Sequence, residues 1–245
     1  MKARLLGLCF GLCVGCQALM PSHLATPLEL VAEESHAPAS PPIDTDDSLQ
    51  QAASCVERGD EAGAVPHMLR HVQAHPDQIM IRAYLAELLL RLKRLPEAQR
   101  HFERFIADAQ EVTGPANKHL IHCHTRLMEI AQDREDAYSE HLHRGIGLLL
   151  LARQKGVLAE ADDPALLQKL LCKAATELTE AHTLRPSEAR PCVYLFEVWT
   201  ALDQPLPAGK ALRQGRAEAP FSTPLTPAEQ RVLAQASSHQ LSAWR

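Results

Sequence analysis

The stretch Ala174-Ala175-Thr176-Glu177-Leu178-Thr179-Glu180-Ala181, closed by Pro186, decides the fold. Ala174, Leu178 and Ala181 fall on one face of a helix, and Pro186 stops it. Adding 34 to each number gives Ala208, Leu212, Gly215 and Pro220, so a small, large, small and proline series recurs as a set. Ala64 and Ala98 stand 34 apart, as do Met68 and Phe102, and Pro76 follows Ala64 as Pro186 follows Ala174. A recurrence of this kind marks stacked supersecondary units, none of which buries its apolar face alone.

Composition agrees. Leu and Ala dominate, whereas Val and Ile are scarce and aromatic residues make up 4% of the chain. That balance favours helices and disfavours a β-sandwich, a barrel or a parallel-sheet enzyme. A net charge of −5 lacks the basic excess of a nucleic-acid binder, so no nucleic-acid partner is expected.

The period and its side chains resemble the tetratricopeptide repeat (TPR) family, whose unit is a 34-residue helical hairpin. Ala86 fits the small position of a first helix, with Leu85 and Leu89 beside it; Leu195 and Trp199 hold the matching places later, around an oversized Phe196. His71 and Phe105 are oversized where Ala181 and Gly215 are small. The resemblance implies an all-α solenoid of TPR-like hairpins. The repeat domain is placed at 48–245, with units at about 48–78, 79–112, 164–188 and 189–222. An irregular section spans 113–163. Thr226-Pro227-Ala228-Glu229 opens a capping helix over 226–240.

The irregular section carries eight residues beyond the period. Tyr84-Leu85-Ala86-Glu87 recurs as Tyr194-Leu195-Phe196-Glu197 at a separation of 110, three periods plus eight. Helices are expected near 116–131 and 135–154, with the surplus at Gly156 to Asp163. Strict alternation needs three helices there. Two arrangements fit: a division at Gly145 and Gly147, or one long helix.

Upstream, Lys2 and Arg4 precede an uncharged, mostly apolar run from Leu5 to Gly15. That run is shorter than the roughly 20 residues needed to cross a bilayer, so 1–16 reads as a signal peptide. Its end, Leu12-Cys13-Val14-Gly15-Cys16, resembles the lipobox of bacterial lipoproteins. The resemblance implies cleavage before Cys16 and lipidation of its thiol, with the domain facing the periplasm of a bacterial cell envelope. Residues 17–47 hold five prolines and six acids without Lys or Arg, and read as a disordered tether reaching about 30 Å.

No GxSxG, HExxH, P-loop, GxGxxG or EF-hand spacing is present, so neither catalysis nor a cofactor is expected. In the TPR family the first helices line the inner wall. Carried onto this chain, that implies Tyr84, Glu87, Tyr194 and Glu197 as binding residues for a protein or peptide bearing Lys or Arg. Thirteen histidines are the compositional surprise. His67, His71 and His75 form a structural stripe. His119, His122 and Cys123 share a helical face and form the alternative reading, an exported metal- or haem-binding module. Cys55, Cys123, Cys172 and Cys192 are expected to be free and buried; an exported chain also permits two disulfides among them.

Overall fold

In the computed structural model, residues 47–111, 119–158 and 164–235 are described. The signal peptide with Cys16 and the tether as far as residue 46 lie outside the described residues. The described residues are helical and contain no strand. Ten helices follow in order: α1 Asp47–Glu57, α2 Glu61–Ala74, α3 Ile79–Arg91, α4 Leu95–Ala109, α5 Leu120–Asp133, α6 Ala137–Leu158, α7 Pro164–Leu184, α8 Ala189–Ala201, α9 Pro205–Glu218 and α10 Pro227–Gln235. Helices α1 to α9 each pack mainly on their neighbours in sequence and α10 lies on α8 and α9, which makes an α-solenoid of hairpins with a C-terminal capping helix.

The repeat is written in the backbone as well as the side chains. Gly59, Lys93, Glu135 and Asp203 all have positive φ, between 54° and 76°. Each ends the first helix of a hairpin with the same pair of bonds. At the first turn Gly59 N–H donates to Val56 O and Asp60 N–H to Cys55 O; at the last Asp203 N–H donates to Thr200 O and Gln204 N–H to Trp199 O. This is the Schellman termination, which satisfies two orphan carbonyls by turning one residue left-handed. The four residues are separated by 34, 42 and 68 positions. The eight-residue surplus therefore lies between Lys93 and Glu135, upstream of the expected 156–163.

From Glu135 to Asp203 the period is kept, yet one helix is missing. A turn at Lys169 is due, but Lys169 lies inside α7. The absent helix would have carried Asp162-Asp163-Pro164, and an interior proline removes a backbone hydrogen bond and disfavours a helix, although α2 accommodates Pro66. Pro164 instead opens α7 at a first-turn position, where its missing N–H costs nothing. The freed residues lengthen α6 to 22 and α7 to 21, against 9 to 15 for the others. Of the two arrangements open from sequence, one long helix is found: α6 runs unbroken through Gly145 and Gly147. It packs against both α5 and α7.

Ala64, Ala98, Ala174 and Ala208 are all buried at the hairpin contacts, as are His71 and Phe105, the oversized residues. His71 sits over His75, with ring centroids 4.7 Å apart, and its Nε2 pairs with Gln78 Oε1 at 3.0 Å. The four described cysteines are free. Cys55, Cys123 and Cys192 are buried, but Cys172 is exposed on α7, against expectation.

Candidate functional site: a closed inner wall

Helix α8 carries the later pair of expected binding residues, Tyr194 and Glu197. Its unbroken apolar run, Pro191 to Phe196, buries the helix on nearly every side. Arg190 and Tyr194 lie one turn apart on this helix, and both meet Glu229 of α10. Tyr194 donates its hydroxyl to Glu229 Oε1 (3.1 Å), and Arg190 Nε donates to the same oxygen (2.9 Å).

Glu229 also fixes the start of α10. Its Oε2 accepts from Thr226 N–H (2.8 Å), and its own N–H donates to Thr226 Oγ1 (3.2 Å). These reciprocal bonds form a capping box, which explains the helix start at Pro227. One carboxylate thus caps α10 and holds it to α8. Burial pushes the Tyr194 hydroxyl well above its ordinary range, and Glu229's charge pushes the same way. Burial alone would lower Arg190, but Glu229 reverses this and leaves it raised.

The same end of α10 reaches α4. Gln110 Nε2 donates to the Tyr194 hydroxyl (3.3 Å), Thr226 Oγ1 donates to Gln110 Oε1 (3.0 Å), and Arg231 grips Glu111 with two bonds of 2.8 Å. These contacts join α10 and α8 to the residues that end α4. A cavity of about 400 Å³ lies on one side of Tyr194 and Glu229, with His124, Tyr138, His143 and Arg185 in its lining. Another, of about 330 Å³, lies on the other side, lined by Leu120, Leu150, Val193, Glu197 and Val232.

In the larger cavity His124 and His143 meet through their Nδ1 atoms at 3.1 Å. That contact requires one ring to donate and the other to accept, so at least one is neutral. Burial, with Arg190 adding, pushes His143 down to about 3. Burial, then His143, pushes His124 well below the ordinary range. Among the described residues, His124 Nε2 has no hydrogen-bond partner. Ser139, also in the lining, gives its hydroxyl hydrogen to Asp136 Oδ2 at 2.7 Å. Ser, Asp and His gather here, but in pairs other than the nucleophile–base contact of covalent catalysis.

The four expected binding residues fall into two different settings. Tyr84 on α3 is 49% exposed, whereas Tyr194 is 6% exposed beneath α10. Both wall acids are already paired. Glu87 accepts from His122 Nε2 (2.7 Å) and Arg126 Nε (3.1 Å), both on α5. Burial raises the Glu87 carboxyl, but these partners outweigh it and hold it below its ordinary value. Glu197 pairs with Arg153 of α6 at 3.0 Å. Neither acid stands free to select a Lys or Arg.

The alternative metal trio does not assemble. His122 is committed to Glu87, and Cys123 is packed in the core, its thiol pushed up to about 12 by burial and then by Glu87. Among the described residues, the group whose ligand atoms come close enough for one ion is His182, Cys192 and Glu218. They sit on three helices, separated by ten and 26 residues, and match no sequence motif. Burial, then Glu218, pushes the Cys192 thiol up to about 12.

No protein-family model matches this chain. No curated protein matches it either. Among solved structures, it is similar to the crystal structure of MamA at 12% identity, over 73% of this chain and 96% of that one, with a TM-score of 0.33. The helical-repeat assignment rests on the hairpins and turns of this chain itself.

Proposed function

We propose that this chain is a non-catalytic protein-interaction scaffold, lipidated at Cys16 and tethered to a membrane of a bacterial cell envelope, which captures a protein segment on its inner wall. One comparison carries the reading. Tyr84 and Tyr194 occupy equivalent places in the repeat; Tyr194 is covered by a helix of its own chain, while Tyr84 is half bare. The α8 wall accepts an amphipathic helix, and the same geometry at α3 awaits one from a partner. A half-exposed tyrosine offers a large anchoring surface at low entropic cost. The paired acids Glu87 and Glu197 argue for a partner held by apolar contact more than by basic residues.

Tethering rests on the sequence at Cys16. No described helix is long and apolar enough to cross a membrane. Two acyl chains provide stable attachment, at about 0.8 kcal/mol for each buried methylene.

A photocrosslinking residue at position 84 tests partner capture in intact cells. It should give a discrete protein adduct, and the same probe at Leu206, 82% exposed on α9, should not. Equal labelling at both sites would sink the inner-wall assignment. Cys16→Ala should release the protein from the membrane fraction and remove the lipid mass from its N-terminus.

A further inference from the structure

His182 lies near the end of α7, Cys192 in the first turn of α8, and Glu218 is the last residue of α9. Cys192 Sγ is 3.7 Å from His182 Nδ1 and 3.5 Å from Glu218 Oε2, and His182 Nε2 is 3.8 Å from Glu218 Oε1. One ligand atom from each residue lies within 4.8 Å of the others. A tetrahedral zinc ion, with bonds of about 2.0 to 2.3 Å, needs its ligand atoms about 3.3 to 3.6 Å apart. Two of these spacings, from Cys192 Sγ to His182 Nδ1 and to Glu218 Oε2, are within a few tenths of an ångström of that, and the set of one atom per residue closes to within 4.8 Å.

The surroundings suit an ion. Gly215 has no side chain where a Cβ would lie 3.2 Å from Cys192 Cβ, so α9 comes close to the thiol. Gln214, one turn before Glu218, touches His182 Nε2. Gln214 presents its amide nitrogen to the ring; a half-turn of the amide on metal binding would bring its oxygen there to accept from Nε2–H, leaving the Nδ1 lone pair facing Cys192. Such an outer bond fixes the tautomer of histidine ligands in metal sites. His182 and Glu218 are partly exposed and provide a path inward, while Cys192 is buried beneath them.

We propose that His182, Cys192 and Glu218 bind one zinc-class divalent transition-metal ion, which clips α7, α8 and α9 together. The ligand set is one imidazole nitrogen, one sulfur and one carboxylate oxygen. It suits zinc better than calcium or magnesium, which take oxygen ligands. Thiolate and carboxylate together carry two negative charges, which a dication neutralises. Binding replaces the thiol proton, which leaves to solvent, and water takes the fourth position. This site is separate from the inner wall, so partner capture and metal uptake stand or fall independently.

The test uses the full-length chain after chelator treatment, titrated with Zn²⁺ against a chromophoric competitor. One ion should bind per chain. Cys192→Ser and His182→Ala should each weaken binding at least 100-fold, and Gln214→Leu by about 10-fold or more. Replacement by Co²⁺ should give tetrahedral visible bands and a thiolate charge-transfer band, both lost in Cys192→Ser but kept in Cys55→Ser and Cys172→Ser. Glu218→Gln, at the partly exposed rim, gives a second measure should Cys192→Ser misfold: it should also weaken binding and leave the circular dichroism unchanged. Absence of stoichiometric zinc in the parent, or equal affinity in the parent and in folded variants, would overturn the proposal.

Discussion

The Tyr194 hydroxyl rests on Glu229 Oε1 at 3.1 Å, so a wall residue of the repeat is held by the last described helix of the same chain. Glu229 also pairs Arg190 at 2.9 Å and is almost fully buried. Removing its carboxylate leaves a charged and a polar group poorly partnered. Hydrogen bonds to charged groups contribute about 1.5–3 kcal/mol, and leaving a partner unsatisfied costs a similar amount. Glu229→Ala should therefore destabilise the fold by about 2 kcal/mol, and Tyr194→Phe by about 1 kcal/mol. Urea unfolding followed by circular dichroism measures both. Losses under 0.5 kcal/mol in both would mean that α10 is not held through this contact.

The turn residues give a prediction of opposite sign. Lys93, Glu135 and Asp203 adopt φ of 58°, 56° and 54° where glycine carries no penalty. A left-handed conformation costs an ordinary residue about 1–2 kcal/mol. Part of that returns as the greater unfolded-state freedom of glycine. Lys93→Gly, Glu135→Gly and Asp203→Gly should each stabilise by about 0.5 kcal/mol, while Gly59→Ala should cost about 1 kcal/mol. Thermal melts of the four single variants settle the signs, and destabilisation by all three glycines would contradict the shared turn.

Those turns also show what the sequence hides. The hairpins at Ala64, Ala98 and Ala208 are legible because small residues at a fixed stride admit only close packing. The place of the surplus is not, because three of the four left-handed residues are not glycine and carry no local mark. The capping box at Thr226 and Glu229 can be read from spacing, but the reach of Glu229 to Arg190 depends on the curvature of the stack. His182, Cys192 and Glu218 meet for the same reason: they lie near three helix ends that only the superhelix brings together. The pairing of the wall acids is equally hidden, since Arg153 and His122 come from helices whose packing the irregular section decides.

The two buried histidines predict acid sensitivity. Burial holds His124 and His143 neutral in the fold, with His143 at about 3. In the unfolded chain each titrates near 6.5. The unfolded state binds more protons below that value, so this stability is present above about pH 6.5 and is lost as pH falls towards 3. By pH 5 the loss reaches up to about 2 kcal/mol for His143. His143→Gln should flatten the pH profile between 7 and 5 even if it lowers stability at pH 7. An unchanged slope would place the acid sensitivity elsewhere.

Gly145 and Gly147 lie two residues apart on α6 and should respond in opposite directions to the same change. A Cβ on Gly145 would meet Leu178 Cγ at 2.7 Å and Ala174 O at 3.3 Å. Leu178 is fully buried and Ala174 O is backbone, so neither yields freely. Helix propensity favours alanine by about 1 kcal/mol, but forcing α6 from α7 costs about 1–3 kcal/mol. At Gly147 the nearest atom is His124 Cβ at 3.9 Å, an ordinary contact, so only the propensity gain remains. Gly145→Ala should lower the melting temperature, and Gly147→Ala should raise it by about 2–4 °C. The contrast tests the double role of α6 directly. A helix divided at these glycines would gain nothing from alanine at 147, whereas a continuous helix pressed against α7 must lose at 145.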